Sequence, residues 1–373
     1  MPIRRTHSKV SKVYLPSNSR YNQFLLAEFK ITDDLLARFK SDDGSDKLKP
    51  WQSFYQKFSE QLFTVCEEAD IDNVHFIAND KLPRVRFNQE IRYWETKQQM
   101  LIFYNPEFHQ SYKSHFDGSV RAQKISLLFL ASGDSIRTSA AGYHAKVREV
   151  LTKLMTEVGV APAAVRLRDH QHLTYDLFAK DKGVEGSNSH ALRLIKNRYK
   201  ASNVTLPEQN DTMSYVVASM PITRRLLKHG NVNLVGQQSY AEFYQMLSDA
   251  CLSSAKHYNL KNGAFIANGL TPIIRNSSNK PEQKVGELQM LGFDPKTPKN
   301  EFFCNWDEDR LVDYVQVIFA ATEADIQDKG LSKFMENVDK SLRMMAKTLE
   351  MTPNNEEIAV RFHQHLAYHF DQA

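Results

Sequence analysis

The sequence predicts an α+β protein of two tandem homologous repeats. Each carries mainly antiparallel sheets with flanking helices, and the two pack as a pseudo-two-fold pair. Three observations predict this. The first is recurrence in fixed order. Phe76-Ile77-Ala78-Asn79 returns as Phe265-Ile266-Ala267-Asn268, followed by Pro83 and Arg86, then Pro272 and Arg275, at the same spacing. Val13, Leu15 and Pro16 return as Val204, Leu206 and Pro207. Arg168 with His170-Gln171-His172-Leu173 returns as Arg361 with His363-Gln364-His365-Leu366. The offset runs only from 185 (Tyr55 to Tyr240) to 193 (Arg168 to Arg361), as loop insertions in a duplicated unit would make it. The second observation is that strand-length apolar runs share the chain with stretches of helical period. The third is that turn residues separate adjacent strands while helices close each copy, the α+β pattern. The expected boundaries are residues 7–178 for the first repeat, 179–197 for a linker and 198–371 for the second repeat. Gly183, Gly186, Ser187, Asn188 and Ser189 supply the linker chemistry.

Each element follows from local composition. Phe24 to Ile31 and Tyr215 to Ile222 are runs of strand formers. Thr32 and Thr223 stand where a helix N-cap belongs, ahead of Asp33-Asp34 and Arg224-Arg225. Acids suit a helix N-terminus and arginines oppose it, so the second short helix has weaker support. Phe54, Phe58, Leu62 and Val65 recur at helical spacing, as do Tyr240, Phe243, Leu247 and Cys251. Strands follow at Val74–Ala78 and Ala264–Ala267. Asn79-Asp80 and Asn268-Gly269 then predict hairpins, with Val85 to Phe87 and Ile273 to Arg275 as returning strands. Further strands are expected at Met100–Tyr104, Gln289–Phe293, Ile125–Ala131 and Val315–Ala321. Tyr143, Val147, Val150, Leu151, Leu154 and Val158 mark an amphipathic helix stopped by Gly159. Its counterpart uses Leu331, Phe334, Val338, Leu342 and Met345. Each copy is expected to end in a helix carrying the HQHL string, opened by Pro162 in one copy and by Asn354-Asn355-Glu356-Glu357 in the other.

Composition excludes several classes. With 373 residues, two or three domains are expected. Hydrophobic residues at 42% and aromatics at 11% supply a core, which rules out wholesale disorder. The net charge of +4 is too balanced to argue for nucleic acid on its own, although Arg4, Arg5, Lys9, Lys12 and Arg20 precede the first acid, Glu28. The three cysteines form no CxxC pair, which removes zinc-ribbon and thioredoxin motifs. The N-terminus lacks an apolar h-region, and the longest apolar stretch, Ile125 to Ala131, is too short to span a bilayer. A reduced, cytoplasmic protein without a membrane partner is expected.

The common catalytic motifs are missing: no phosphate loop, no G-x-G-x-x-G, no G-x-S-x-G, no H-E-x-x-H. The terminal Arg-x-His-Gln-His-Leu-x-Tyr string is the best candidate site. On a helix, Arg168, His172 and Asp176 share one face, as do Arg361, His365 and His369. His172 with Asp176, or His365 with His369, would then chelate a divalent metal. The arginines with protonated histidines would instead bind an anion. On a strand, His170 and His172 would share a face and could bind metal as a pair. The plainer explanation is packing and hydrogen bonding, since perturbed histidines are often structural. His75, His109, His115 and His144 are spare, and nothing in the sequence brings them together. The second candidate is the Asn-x-x-x-Pro-x-x-Arg turn, where Arg86 and Arg275 could clamp a carboxylate or phosphate. Turn chemistry alone also explains Asn79 and Pro83. Cys66 and Cys251 fall on apolar helix faces and are expected to act as small hydrophobes. The basic stretch from His190 to Lys200 could touch RNA or DNA, but no glycine-aromatic recognition signature accompanies it.

The strings VHFIANDKLPRVRF and RLRDHQHLTYDLFAK, with the opening MPIRRTHSKV, resemble an uncharacterised gammaproteobacterial family classed as a domain of unknown function. The resemblance covers nearly the whole chain. It implies a bacterial cytoplasmic protein and carries over no activity, cofactor or site residue. The resulting expectation is a pseudo-symmetric binding protein for a metal or small anionic ligand. An enzyme using a histidine of HQHL as general acid or base is the alternative, with nucleic-acid association third. No cofactor is identified.

Overall fold

Strand-forming runs buried on both faces build one large sheet, and the helical stripes supply a layer that covers one of those faces. The computed structural model describes residues 12–13, 22–39, 49–87, 93–104, 111–131, 140–177, 203–205, 213–236, 239–276, 283–293, 302–351 and 358–370. In chain order the elements begin with β1 (Lys12–Val13), β2 (Asn22–Lys30), α1 (Asp33–Ala37) and α2 (Pro50–Glu68). Next come β3 (Asn73–Ala78), β4 (Leu82–Phe87), β5 (Tyr93–Glu95), β6 (Gln99–Tyr104), β7 (Ser111–Phe116) and β8 (Lys124–Ala131). Helix α3 (Ala140–Val158) and a 3-10 turn (Pro162–Ala164) lead into β9 (Arg166–Asp176). The chain continues with β10 (Asn203–Thr205), β11 (Met213–Pro221), α4 (Arg224–His229), α5 (Ala241–His257), β12 (Asn262–Ala267) and β13 (Thr271–Asn276). It closes with β14 (Gln283–Val285), β15 (Leu288–Phe293), β16 (Phe302–Trp306), β17 (Tyr314–Ala321), α6 (Glu323–Thr348) and β18 (Ala359–His369). The protein is thus mixed α+β. The expected linker, 179–197, lies outside the described residues.

Ten strands form the main sheet, in the order β16-β12-β17-β11-β18-β9-β2-β8-β3-β7. Only the outermost pairings, β12–β16 and β3–β7, are parallel. The helices cover one face. Leu25, Ala27, Phe76 and Phe129 meet Phe58, Leu62 and Leu151 there, and Val216, Phe265 and Phe319 meet Leu247, Val338 and Leu342. The other face carries two four-stranded sheets, β10-β4-β6-β5 and β1-β13-β15-β14. Phe24, Leu26 and Leu128 pack there under Val85 and Ile102, while Tyr215 and Val217 pack under Ile274 and Leu291. The short outer strands cross over. β1 pairs with β13 about 260 residues later, and β10 pairs back onto β4 about 120 residues earlier, costing loop-closure entropy that grows only slowly with length.

The caps form as expected. Leu35 N–H donates to Thr32 Oγ1, and Leu226 N–H donates to Thr223 Oγ1, each at 3.2 Å. Helix α4 forms despite its leading arginines because Leu226 and Leu227 are buried in the core. Gly159 ends α3 at φ 66°, and an added Cβ would overlap the Arg38 guanidinium that donates to Val158 O.

Two expectations are corrected. The HQHL segments are the central strands β9 and β18, not terminal helices. Period-two alternation decides this: Val360 and Phe362 face the helical core while Arg361 and His363 point to the other side. The Pro162 signal belongs to the short 3-10 turn instead. The Asn79 and Asn268 turns do not make hairpins. Each passes the chain from the main sheet into a small one, where β4 and β13 pair in parallel with β6 and β15. Asp80 (φ 55°) and Gly269 (φ 72°) supply the left-handed step at these corners.

Candidate functional site

The two HQH strings lie side by side at the middle of the main sheet. β9 and β18 run antiparallel, with His172 opposite His363, Gln171 opposite Gln364 and His170 opposite His365. Cross-strand partners share a face, so Arg168, His170, Arg361 and His363 all point toward the small-sheet side. The His170 and His363 rings meet edge to face at 4.3 Å between centroids, and both are fully buried. Phe24 packs on His170 at 5.5 Å, and Tyr215 lies 6.1 Å from His363. For His172, Asp176 and His365 the register is described and the side chains are not. His369 is exposed at the far end of β18, opposite Arg166.

The helical chelation geometry therefore does not exist. Four residues along a strand span about 13 Å, too far for His172 with Asp176, or His365 with His369, to share one ion. Among the described residues no group of three or more His, Cys, Asp or Glu converges as a metal site. Arg86 and Arg275 sit where the crossing strands arrive, opposite Asn203 and Lys12 respectively. Their side chains lie outside the described residues. The turn asparagines behave as turn residues: Asn79 accepts from Lys81 N–H at 3.1 Å and Asn268 from Leu270 N–H at 3.0 Å.

The two arginines of the repeated string sit in different electrostatic surroundings. Arg168 is buried and forms an ion pair with Glu28. Glu28 also accepts from Lys124 Nζ at 2.7 Å and from Ser126 Oγ at 3.2 Å. Arg361 is equally buried, but its one partner among the described residues is the Ser219 hydroxyl, to which Nη2 donates at 3.3 Å. Its Nε has no hydrogen-bond partner, and no carboxylate among the described residues pairs with it. Burial alone pushes this guanidinium down to about 10. Gln316 lies opposite Ser219 on the neighbouring strand, and its Oε1 is buried without a partner. Among the described residues the result is a buried polar patch whose guanidinium is paired by no carboxylate, a costly arrangement in a protein interior.

Other titratable groups were invisible from spacing. His75 Nδ1 and His115 Nε2 lie 2.8 Å apart across the parallel β3–β7 pair. Burial, followed by Lys113 nearby, lowers His115 to about 4; burial and the neighbouring His115 lower His75 well below its ordinary range. Only the unforeseen pairing of β7 with β3 brings them together. Asp169 points to the helical side beneath Tyr143. Burial raises it to about 7, against the Gln23 amide that donates to it at 3.1 Å and 3.3 Å. His144 approaches it at 3.8 Å. Cys66 and Cys251 are buried free thiols; burial pushes Cys66 up to about 12 and Cys251 higher still, so neither is a nucleophile at neutral pH. The basic stretch 190–200 lies outside the described residues. No helix among the described residues is long and apolar enough to cross a membrane.

Fold and site together define an α+β protein built on one ten-stranded, mainly antiparallel sheet with a buried arginine–histidine centre. Over residues 53–368 the chain matches the family described as protein of unknown function (DUF3083), and it belongs to that family. Comparison with curated proteins returns no match.

Proposed function

We propose that the protein binds a small carboxylate or phosphate, which supplies Arg361 with its missing counter-charge. The proposal takes the chain as two homologous halves joined about a pseudo-two-fold axis through the Gln171–Gln364 pair. Three features support that symmetry: the mirrored strand order about β9–β18, the reciprocal pairing of β1 with β13 and β10 with β4, and the central register. Superposing the halves by their recurring strings places Arg361 on Arg168, Ser219 on Glu28 and Gln316 on Ser126. The second half thus keeps the buried arginine and lacks the carboxylate that neutralises it in the first. Ser219 is shorter than Glu28 by a carboxymethyl group, and its hydroxyl and the Gln316 amide are hydrogen-bonding groups for an oxyanion. The single observation that carries the proposal is the buried Arg361 guanidinium with only a hydroxyl for partner among the described residues. The site is single, because Glu28 already fills its counterpart.

The test is thermal unfolding in acetate and in inorganic phosphate, against chloride at equal ionic strength. Binding to the folded state raises Tm with ligand concentration, by about 2.7 kcal/mol of stability at a hundredfold excess over Kd. Ser219→Glu should rebuild the first half's ion pair. It is expected to raise Tm in the chloride reference and abolish the response to acetate and phosphate. Equal Tm in all three salts, or a Ser219→Glu protein that still responds, would sink the proposal.

A further inference from the structure

A cavity of about 790 Å3 opens in the helical layer of the second half. Its lining includes no residue of β9 or β18. Met246 and Ala250 of α5, Met344 and Leu349 at the end of α6, and Trp306 at the end of β16 make it apolar. Glu242, Asp249 and Glu308 stand around it, with His229 from the end of α4. Asp249 accepts from Gln245 Nε2 at 2.8 Å, whereas Glu242 and Glu308 pair with no cation among the described residues. The cavity thus combines an apolar floor with unneutralised carboxylates.

The first half shows why space exists here. Between α2 and α3, Gln61 donates to Glu157, and Lys153 pairs with Glu68 at 2.8 Å. These bridges tie the two helices across their groove. Helices α3 and α6 can be aligned on their shared closure, where Val160 N–H donates to Met155 O and Met351 N–H to Ala346 O. On that alignment, and on the recurring Tyr55/Tyr240 spacing of α2 and α5, the four bridging positions become Met246, Thr348, Ser253 and Met344. All four line the cavity. No polar bridge among the described residues replaces the lost ones, and flexible methionines stand at the gap.

We propose that this cavity is a binding site for a small organic cation, an ammonium group carried on an apolar body. Its volume falls in the range of small-molecule sites, roughly 300–1,000 Å3. The apolar floor takes the body, with the methionines adapting to its shape. The carboxylates attract the ammonium group, and the Trp306 ring offers a π face to the same charge. A compact ligand suits the walls better than a docked helix. Tyr240 N–H donates to Glu308 O at 2.7 Å, which seats Glu308 at the start of α5 and closes that end. His229 lies 3.8 Å from Glu350 and closes the neighbouring side against α6.

Tryptophan fluorescence of the full chain tests this, with Trp51→Phe and Trp94→Phe leaving Trp306 as the reporter. The probes are phenethylamine, neutral 2-phenylethanol and anionic 3-phenylpropionate. The expected result is saturable binding of the amine, at least about tenfold tighter than the alcohol, or 1.4 kcal/mol. Glu242→Gln with Glu308→Gln should weaken the amine by about tenfold, with only a small fall in Tm from the first-turn acid lost at Glu242, since both carboxylates are exposed. The idea is overturned if alcohol or propionate binds as well as the amine, or if the double variant binds it unchanged. It is equally overturned if the amine does not saturate by about 10 mM, an affinity weaker than 4.1 kcal/mol of binding. Binding of a basic amphipathic peptide without binding of the amine would make this a protein-docking surface and would also overturn it.

Discussion

Removing a carboxylate from beside a buried guanidinium strands a charge in a medium that solvates it poorly, and the energetic cost is set by burial. Arg168 and Glu28 are both nearly inaccessible, so Glu28→Gln should cost about 3–5 kcal/mol in urea unfolding. Arg361 has no such partner among the described residues. Arg361→Met, similar in length and apolar, should therefore be neutral or stabilise by about 1–3 kcal/mol in chloride, without acetate or phosphate. A large loss for Arg361→Met would mean that the guanidinium is well solvated or paired where it stands. Asp169 provides a second residue-scale prediction, with a defined sign. Its carboxyl is raised to about 7 in the folded protein, above the usual carboxylate range, so the folded state holds a proton that the unfolded state has released. Stability from this group is complete in acid and falls as pH rises from about 4 to 7. Asp169→Asn should leave stability near pH 4 almost unchanged and raise it by about 4 kcal/mol at pH 8. Equal effects at the two pH values would show that Asp169 ionises normally. The buried His75–His115 pair acts oppositely: both are held below the unfolded value, so their contribution is present above about 6.5 and declines in acid.

At the scale of elements, the crossing strands carry the sharpest consequence. β10 follows residue 200, yet it pairs with β4 beside residue 85. Val204→Pro puts a residue of fixed φ and no N–H opposite Val85 in the three-residue β10–β4 ladder, and its effect should appear in the first half. Hydrogen exchange should accelerate over residues 82–87 and stay protected over 271–276, with an overall loss of about 1–3 kcal/mol. Faster exchange in β13 rather than β4 would reverse the inferred pairing. Local chemistry made many elements legible: the Thr32 and Thr223 caps, the apolar periods of α2, α3 and α5, and the Gly159 stop all form as composition predicts. The HQHL strands did not read correctly because their period-two alternation competed with helix-start signals at Pro162 and Asn354. Tertiary burial in the middle of a sheet decided the outcome. The Asn79 turn read as a hairpin because turn chemistry fixes a local bend, not which sheet receives the next strand. β7 and β16 were missed because Ser111–Phe116 and Phe302–Trp306 lack a clear alternation. In the candidate site, Arg168 and Arg361 were legible as a repeated pair. The exchange of Glu28 for Ser219 was also visible in the aligned strings, one residue beyond Ala27 and Ala218. Its meaning was not, because only the pairing of β2 with β9, and of β11 with β18, puts those side chains beside the arginines.

For the whole molecule, the same topology predicts that neither half is self-sufficient. Cutting between β9 and β18 would expose a long central edge carrying eleven register pairs, from Ala359–Asp176 to His369–Arg166. An unpaired edge of that length is a template for association with another chain. Each half would also lose the short strand that it borrows, since β4 takes β10 and β13 takes β1. Residues 1–188 and 189–373, produced separately, should therefore precipitate or self-associate. Co-expressed, they should recover as a one-to-one pair that elutes at the volume of the intact chain, because the central strands and both crossing strands are again available. The self-associated form of a single half has a specific geometry. Two first halves would pair β9 with β9 in the register that now joins His172 to His363, and each would lack its β10 partner. Size-exclusion chromatography with light scattering distinguishes the outcomes. A stable monomeric half would show that the β9–β18 seam joins two independently folded domains, and it would remove the case for a fused, interlocked pair.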